Sequence, residues 1–273
     1  MIAHGSAFPV AKLALNNSVP PILMASLRMF LVFIILIPFW RFRIPSKKFF
    51  KPLLIFSFSM GVLVYVFMNL SLYHSSIISP IILGSQLAIP FGILASAFIL
   101  KENISKNKWL LILASFLGIF IIFFDPKLNE NYLGLFFASL MALFFGLAQV
   151  YSRQLKELPT SMINASTGIF GFSLLLILSI LFEGNIYKNI EQININSWIL
   201  ISYQAVIVSL CAHLLMFYLY KFYTVGQIFP FYSLFPIFGI ILSYITFGEV
   251  PTLMFILGGI IVISSVFLLH KIK

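Results

Sequence analysis

Blocks of about 20 apolar residues, cut by short polar stretches, dominate this chain. A block of that length crosses the ~30 Å hydrocarbon core of a bilayer as an α-helix. The blocks fall at about 20–40, 52–73, 77–100, 108–125, 131–152, 160–182, 198–222, 225–247 and 251–270, predicting nine spanning helices. Residues 1–15 share their character but reach only ~22 Å at 1.5 Å per residue. They predict a tenth helix that is either short or the end of one beginning upstream, the second being preferred. Helix breakers stand at the joints: Pro20-Pro21, Pro45, Asp125-Pro126, Leu158-Pro159 and Val250-Pro251. The longest separator, 183–197, is too short for a soluble domain. The predicted fold class is therefore an all-α integral membrane protein of about ten transmembrane helices.

Composition agrees. Of 273 residues 61% are hydrophobic and 9% charged, with a mean hydropathy of +1.09. A soluble domain carries about 25% charged residues, and this chain has too few to cover a core of its size. The net charge of +10 raises nucleic acid as a partner. The basic residues form no continuous face, however, and the aromatics sit inside apolar blocks, which argues against it. Alternate loops explain the charge better. One side receives 13 Lys and Arg, including Arg41, Arg43, Lys47, Lys48 and Lys51; the other receives Lys12, Lys127 and Lys188. That bias places both termini in the cytoplasm and predicts a multi-pass protein of the cell inner membrane. No basic n-region or cleavage site marks a signal peptide, and the lone Cys211 excludes an intrachain disulfide.

Two segments repeat. Gln86, Pro90 and Gly92 precede an apolar run ending at Lys101-Glu102 and then a span with Gly118. Pro236 and Gly239 precede a run ending at Gly248-Glu249 and then a span with Gly258 and Gly259. The first Glu falls in a lysine-rich, cytoplasmic loop and the second in an external loop without lysine. An odd number of helices per repeat produces that inversion, and inverted repeats mark alternating-access transporters with a site near the midplane. The predicted halves are 1–125 and 131–273.

With Gly5 to Lys12, Pro20-Pro21, Ser26-Leu27-Arg28, Gln86, Pro90, Glu102, Pro236 and Gly248-Glu249 in this order, the chain resembles the EamA-type branch of the drug/metabolite transporter superfamily. Within it, the sequence is most similar to exporters of O-acetylserine and cysteine. His4 departs from the pattern, where Trp is usual before the glycine. The resemblance implies two inverted five-helix repeats and export of amino acids or related small metabolites.

Polar groups inside spans are costly and so are candidates for function. Arg28 lies about eight residues from the external end, ~12 Å deep. It either anchors a substrate carboxylate or stabilises the bundle. Gln86 precedes Pro90 by four residues, where a proline frees a carbonyl and breaks a turn; Tyr232 holds the matching place before Pro236. His213, near the centre of its span, is a proton relay or a hydrogen-bonded packing residue. Asn69, Tyr65, Tyr203 and Gln149 are further candidates for lining the site. Lys12 is expected to snorkel to the outer surface. Glu102 and Glu249 each precede a helix, whose N-terminal dipole a carboxylate favours.

No span holds an internal Asp or Glu, no GxxxxGK[ST] loop supports a primary pump, and no cluster has metal-ligand or nucleophile-base spacing. No metal, cofactor or catalytic residue is expected. The leading reading is a secondary transporter exporting cysteine-like or O-acetylserine-like amino acids, with import or exchange as the alternative within the superfamily. A non-transporting assembly subunit or a lipid-handling protein is the alternative of another class. Expected partners are a small-molecule substrate and membrane lipids, with a homodimer left open.

Overall fold

The computed structural model describes residues 1–39, 45–128, 131–212, 215 and 234–271. The helices are numbered in chain order. Helix α1 runs in two pieces, Ile2–Gly5 and Ala7–Asn16. Pro9 has no N–H to give the Gly5 carbonyl four residues back, which accounts for the break at Ser6. Helix α2 (Pro21–Leu36) opens on a proline at its first position, where the missing N–H costs nothing. Helix α3 (Lys47–Tyr73) carries a π turn at Ser59–Leu63, and α4 (Ser79–Leu100) a 3-10 turn at Ser85–Leu87. Helices α5 (Lys106–Phe123), α6 (Tyr132–Gln154) and α7 (Thr160–Phe182) are regular. Helix α8 (Ile195–Ala212) turns π-helical over Gln204–Ala212. Among the described residues, helices α9 (Phe235–Phe247) and α10 (Leu253–Lys271) follow. The separator 183–197 holds one short helix, Ile186–Glu191.

Among the described residues six helices, α3 to α8, are long and apolar enough to cross a membrane, and α2, α9 and most of α10 are shorter apolar helices. Their outward faces are apolar: Phe98, Leu110, Leu181 and Phe182 are all exposed. Lipid is the medium that accepts such a surface.

Small residues set the packing, as they do where helices associate without a hydrophobic drive. Helix α2 packs along α7 and α5 along α10. In the second pair Gly118 and Gly258 meet backbone to backbone: a Cβ on Gly258 would lie 2.5 Å from the Gly118 oxygen. Helix α4 crosses α6 at Gly92 and Gly146, and α9 crosses α1 at Gly239 and Gly5. The glycine that follows each repeated proline is therefore a crossing point. Both repeat helices also end alike, on a left-handed residue before the glutamate. These are Lys101 at φ 55° and Gly248 at φ 68°. Glycine adopts that backbone freely, whereas lysine is strained there by about 1 kcal/mol or more.

The helix ends sort onto two faces. On one, where α1 ends and α2 begins, polar groups engage backbone. Lys12 Nζ donates to the Leu72 and Ser75 carbonyls at 2.8 and 2.6 Å, at the C-terminal end of α3. This corrects the expectation that Lys12 snorkels: its charge is held by carbonyls with a C-terminal dipole. Glu183 accepts from the Ile22 and Leu23 N–H groups at 2.6 and 2.8 Å, capping α2. Asn131 Oδ1 accepts from the Ser76 N–H at 2.6 Å, and Thr252 donates to Asp125. Glu249 accepts from the Ile78 and Ser79 N–H groups at 2.7 and 3.0 Å and from the Ser79 hydroxyl. The opposite face carries two exposed ion pairs, Lys48–Glu157 at 2.7 Å and Arg153–Glu102 at 3.3 Å.

Neither repeat glutamate serves the helix that follows it, which corrects that expectation. Glu249 caps α4, a helix of the other half, while Thr252 Oγ1 accepts from the Phe255 N–H at the start of α10. Glu102 pairs with Arg153, and Ser105 caps α5.

Candidate functional site

A guanidinium buried in a helix bundle needs partners, because an unpaired ion in low dielectric costs several kcal/mol. Arg28 on α2 is 4% exposed. Its Cζ lies 4.4 Å from the centre of the Tyr65 ring on α3, and its Nε donates to Ser209 Oγ on α8 at 2.9 Å. A desolvated cation–π contact is worth about 2 kcal/mol. No carboxylate lies within ion-pair distance of Arg28 among the described residues, and neither terminal nitrogen bonds to them. The edge that the described residues do not engage is the fork that matches a carboxylate in two parallel hydrogen bonds.

Asn69 follows Tyr65 by four residues and so shares its face of α3. Its Nδ2 donates to the Pro21 carbonyl at 2.8 Å, fixing α3 against the start of α2 and setting the depth at which Tyr65 meets Arg28. On α8 the Tyr203 hydroxyl meets Ser6 Oγ at 2.8 Å, at the break in α1. Next to it, Gln204 Nε2 donates to the Ala7 carbonyl at 2.5 Å. Arg28, Tyr65, Asn69 and Tyr203 thus belong to one set of contacts linking α1, α2, α3 and α8.

Gln86 sits apart from that set. It is buried in the 3-10 turn of α4, its Oε1 has no partner among the described residues, and its segment packs on α6 and α10. The carbonyl four residues before Pro90 is that of Gln86, and Pro90 has no N–H to offer it. Gln149 on α6 is half-buried. His213 and Tyr232 lie outside the described residues.

Ser209 and Gln204 escaped the sequence reading. Gln204 carried the right signal, an amide well inside a span. Ser209 carried none, because serine is unremarkable in a membrane helix and only the fold sets it against Arg28.

The sequence profile of the EamA-like transporter family matches residues 1–124 and again 132–270, covering the chain as two repeats. No curated protein matches the sequence. Among solved structures, one described as "Crystal structure of protein" superposes with a TM-score of 0.61 at 17% identity, over 97% of this chain and 93% of that one. That likeness bears on the fold alone.

Proposed function

The chain belongs to the EamA-like transporter family, a family of multi-pass membrane proteins, and from that premise we propose that it exports small amino acids of the cysteine and O-acetylserine kind. It works as a secondary transporter of ten spans in two inverted halves, 1–125 and 131–273, within the cell inner membrane. The lysine-rich face, with both termini, is cytoplasmic. The helix pairing supports this architecture. Exchanging α1–α5 with α6–α10 turns the α4–α6 crossing into α9–α1 and leaves the α2–α7 and α5–α10 pairs in place. Two halves that pack through equivalent contacts can rock between mirror-related states around a central site.

One observation carries the substrate class: among the described residues the buried Arg28 guanidinium has a ring and a hydroxyl as partners but no carboxylate. The substrate's carboxylate completes the site. Tyr65 and Ser209 hold the guanidinium plane, Asn69 ties α3, which carries Tyr65, to the start of α2, and Tyr203 closes α8 on α1. Gln86, with Tyr232 and His213, belongs to the wider path.

Two charge-assisted hydrogen bonds at about 1.5 kcal/mol each amount to roughly a hundredfold in affinity. Arg28→Lys keeps the charge but loses the fork. In proteoliposomes it is expected to fold as the wild type and transport with an apparent KM raised about a hundredfold. Unchanged KM in a folded Arg28→Lys protein rules the anchor out.

A further inference from the structure

Gln204 is fully buried, and its two amide atoms have unlike fates. Nε2 donates to the Ala7 carbonyl, while Oε1 has no hydrogen-bond partner among the described residues. Leaving a buried acceptor unmade costs about 1–3 kcal/mol, so such a group calls for a reason. Turning the amide over does not remove the problem, because it would set Oε1 against the Ala7 carbonyl oxygen. The orientation is fixed, and the free atom can only accept.

The backbone places this acceptor beside the Arg28 site. In an α-helix, residues five apart point ~140° away from each other. From Gln204 the chain is π-helical, with i→i+5 hydrogen bonds, so Ser209 stacks one turn beyond Gln204. Ser209 is the residue that holds Arg28 Nε. Depth agrees as well. Gln204 is nine residues into α8, Ala7 nine residues from the end of α1 and Arg28 seven residues into α2. All three lie ~10–14 Å from the same face at 1.5 Å per residue. One turn, about 5 Å, suits a molecule whose anionic and cationic groups share one carbon atom.

We propose that Gln204 Oε1 receives the α-ammonium of a substrate whose carboxylate is held by Arg28, so that the site takes zwitterionic α-amino acids and rejects simple carboxylic acids. This rests on the reading of Arg28 as carboxylate anchor. The Tyr203–Ser6 contact closes α8 on α1 beside the amide, and a substrate reaches it as those helices part during transport.

The test uses the full chain in proteoliposomes and inhibition of labelled O-acetyl-L-serine uptake by two competitors. One is unlabelled O-acetyl-L-serine; the other is 3-acetoxypropionate, which lacks only the amino group. The wild type is expected to prefer the amino acid by about 10- to 100-fold, the effect of one hydrogen bond involving a charged group. In Gln204→Met the preference falls below threefold through weaker binding of the amino acid, with 3-acetoxypropionate unchanged. Gln204→Glu, which keeps an acceptor and adds charge, widens the preference and stands in if the Met variant does not fold. Equal inhibition of the wild type by both competitors overturns the proposal, as does a preference unaltered in either variant. Absence of labelled flux in the wild type instead defeats the transport reading itself, and flux indifferent to Arg28 defeats the carboxylate anchor on which this proposal rests. Flux that depends on Arg28 with a ratio blind to residue 204 defeats only the role of Gln204.

Discussion

Glu102 and Glu249 look equivalent in the sequence but hold opposite positions in the energetics. Replacing Glu249 by Ala strips α4 of acceptors for two backbone N–H groups and the Ser79 hydroxyl. A hydrogen bond to a charged group contributes about 1.5–3 kcal/mol, and loss of an N-cap alone about 0.5–2 kcal/mol. Glu249 is half-buried, so water replaces part of the loss, and about 3 kcal/mol is a fair total. Glu102 makes a single 3.3 Å contact to Arg153, with the two side chains 49% and 63% exposed. A surface pair of that kind is worth about 0–1 kcal/mol. At about 2–4 °C per kcal/mol for a chain of this size, Glu249→Ala lowers the melting temperature by roughly 6–12 °C and Glu102→Ala by no more than about 4 °C. Tryptophan fluorescence of the detergent-solubilised protein, at one fixed scan rate, measures both. Equal shifts in the two variants would refute the reasoning, because the contrast rests wholly on which carboxylate caps a helix.

The Gly92–Gly146 crossing is similarly lopsided. A Cβ on Gly146 would stand 2.6 Å from the Gly92 nitrogen, whereas one on Gly92 meets Gly146 at an ordinary 3.6 Å. Gly146→Ala is therefore expected to destabilise by about 1–3 kcal/mol and Gly92→Ala by less than 1 kcal/mol, read from the same melts. The Glu157 carboxyl is held below its ordinary range by the Lys48 hydrogen bond and charge. A depressed carboxylate contributes stability above its unfolded value, near 4.3. That contribution is lost as pH falls through the folded value. Glu157→Gln should leave melting flat between pH 5 and 8 relative to wild type, with any small deficit vanishing in acid and in high salt.

What the sequence could disclose follows the range of the forces involved. Lipid exposure acts on every residue of a span, so helix positions were legible to within a few residues: 160–182 was expected and Thr160–Phe182 observed. The repeat was legible because Pro, Gly and Glu each answer a local backbone demand. The partners of those residues were not. Glu249 reaches a helix N-terminus 170 residues away in sequence, and Lys12 a C-terminus 60 away. Arg28 was visible as a charge in an apolar block, but the Tyr65 ring and Ser209 meet it only through the packing of α2, α3 and α8. The π turn that aligns Gln204 with Ser209 has no local signature; it lies where α8 packs on α1 and α2.

Passage of an amino acid through this chain by way of the Arg28 site is read by proteoliposome flux with a panel of labelled amino acids. Saturable transport of O-acetylserine or cysteine, lost in a folded Arg28→Ala protein, is expected. Liposomes that carry the folded protein and show no flux for any member of the panel would contradict it.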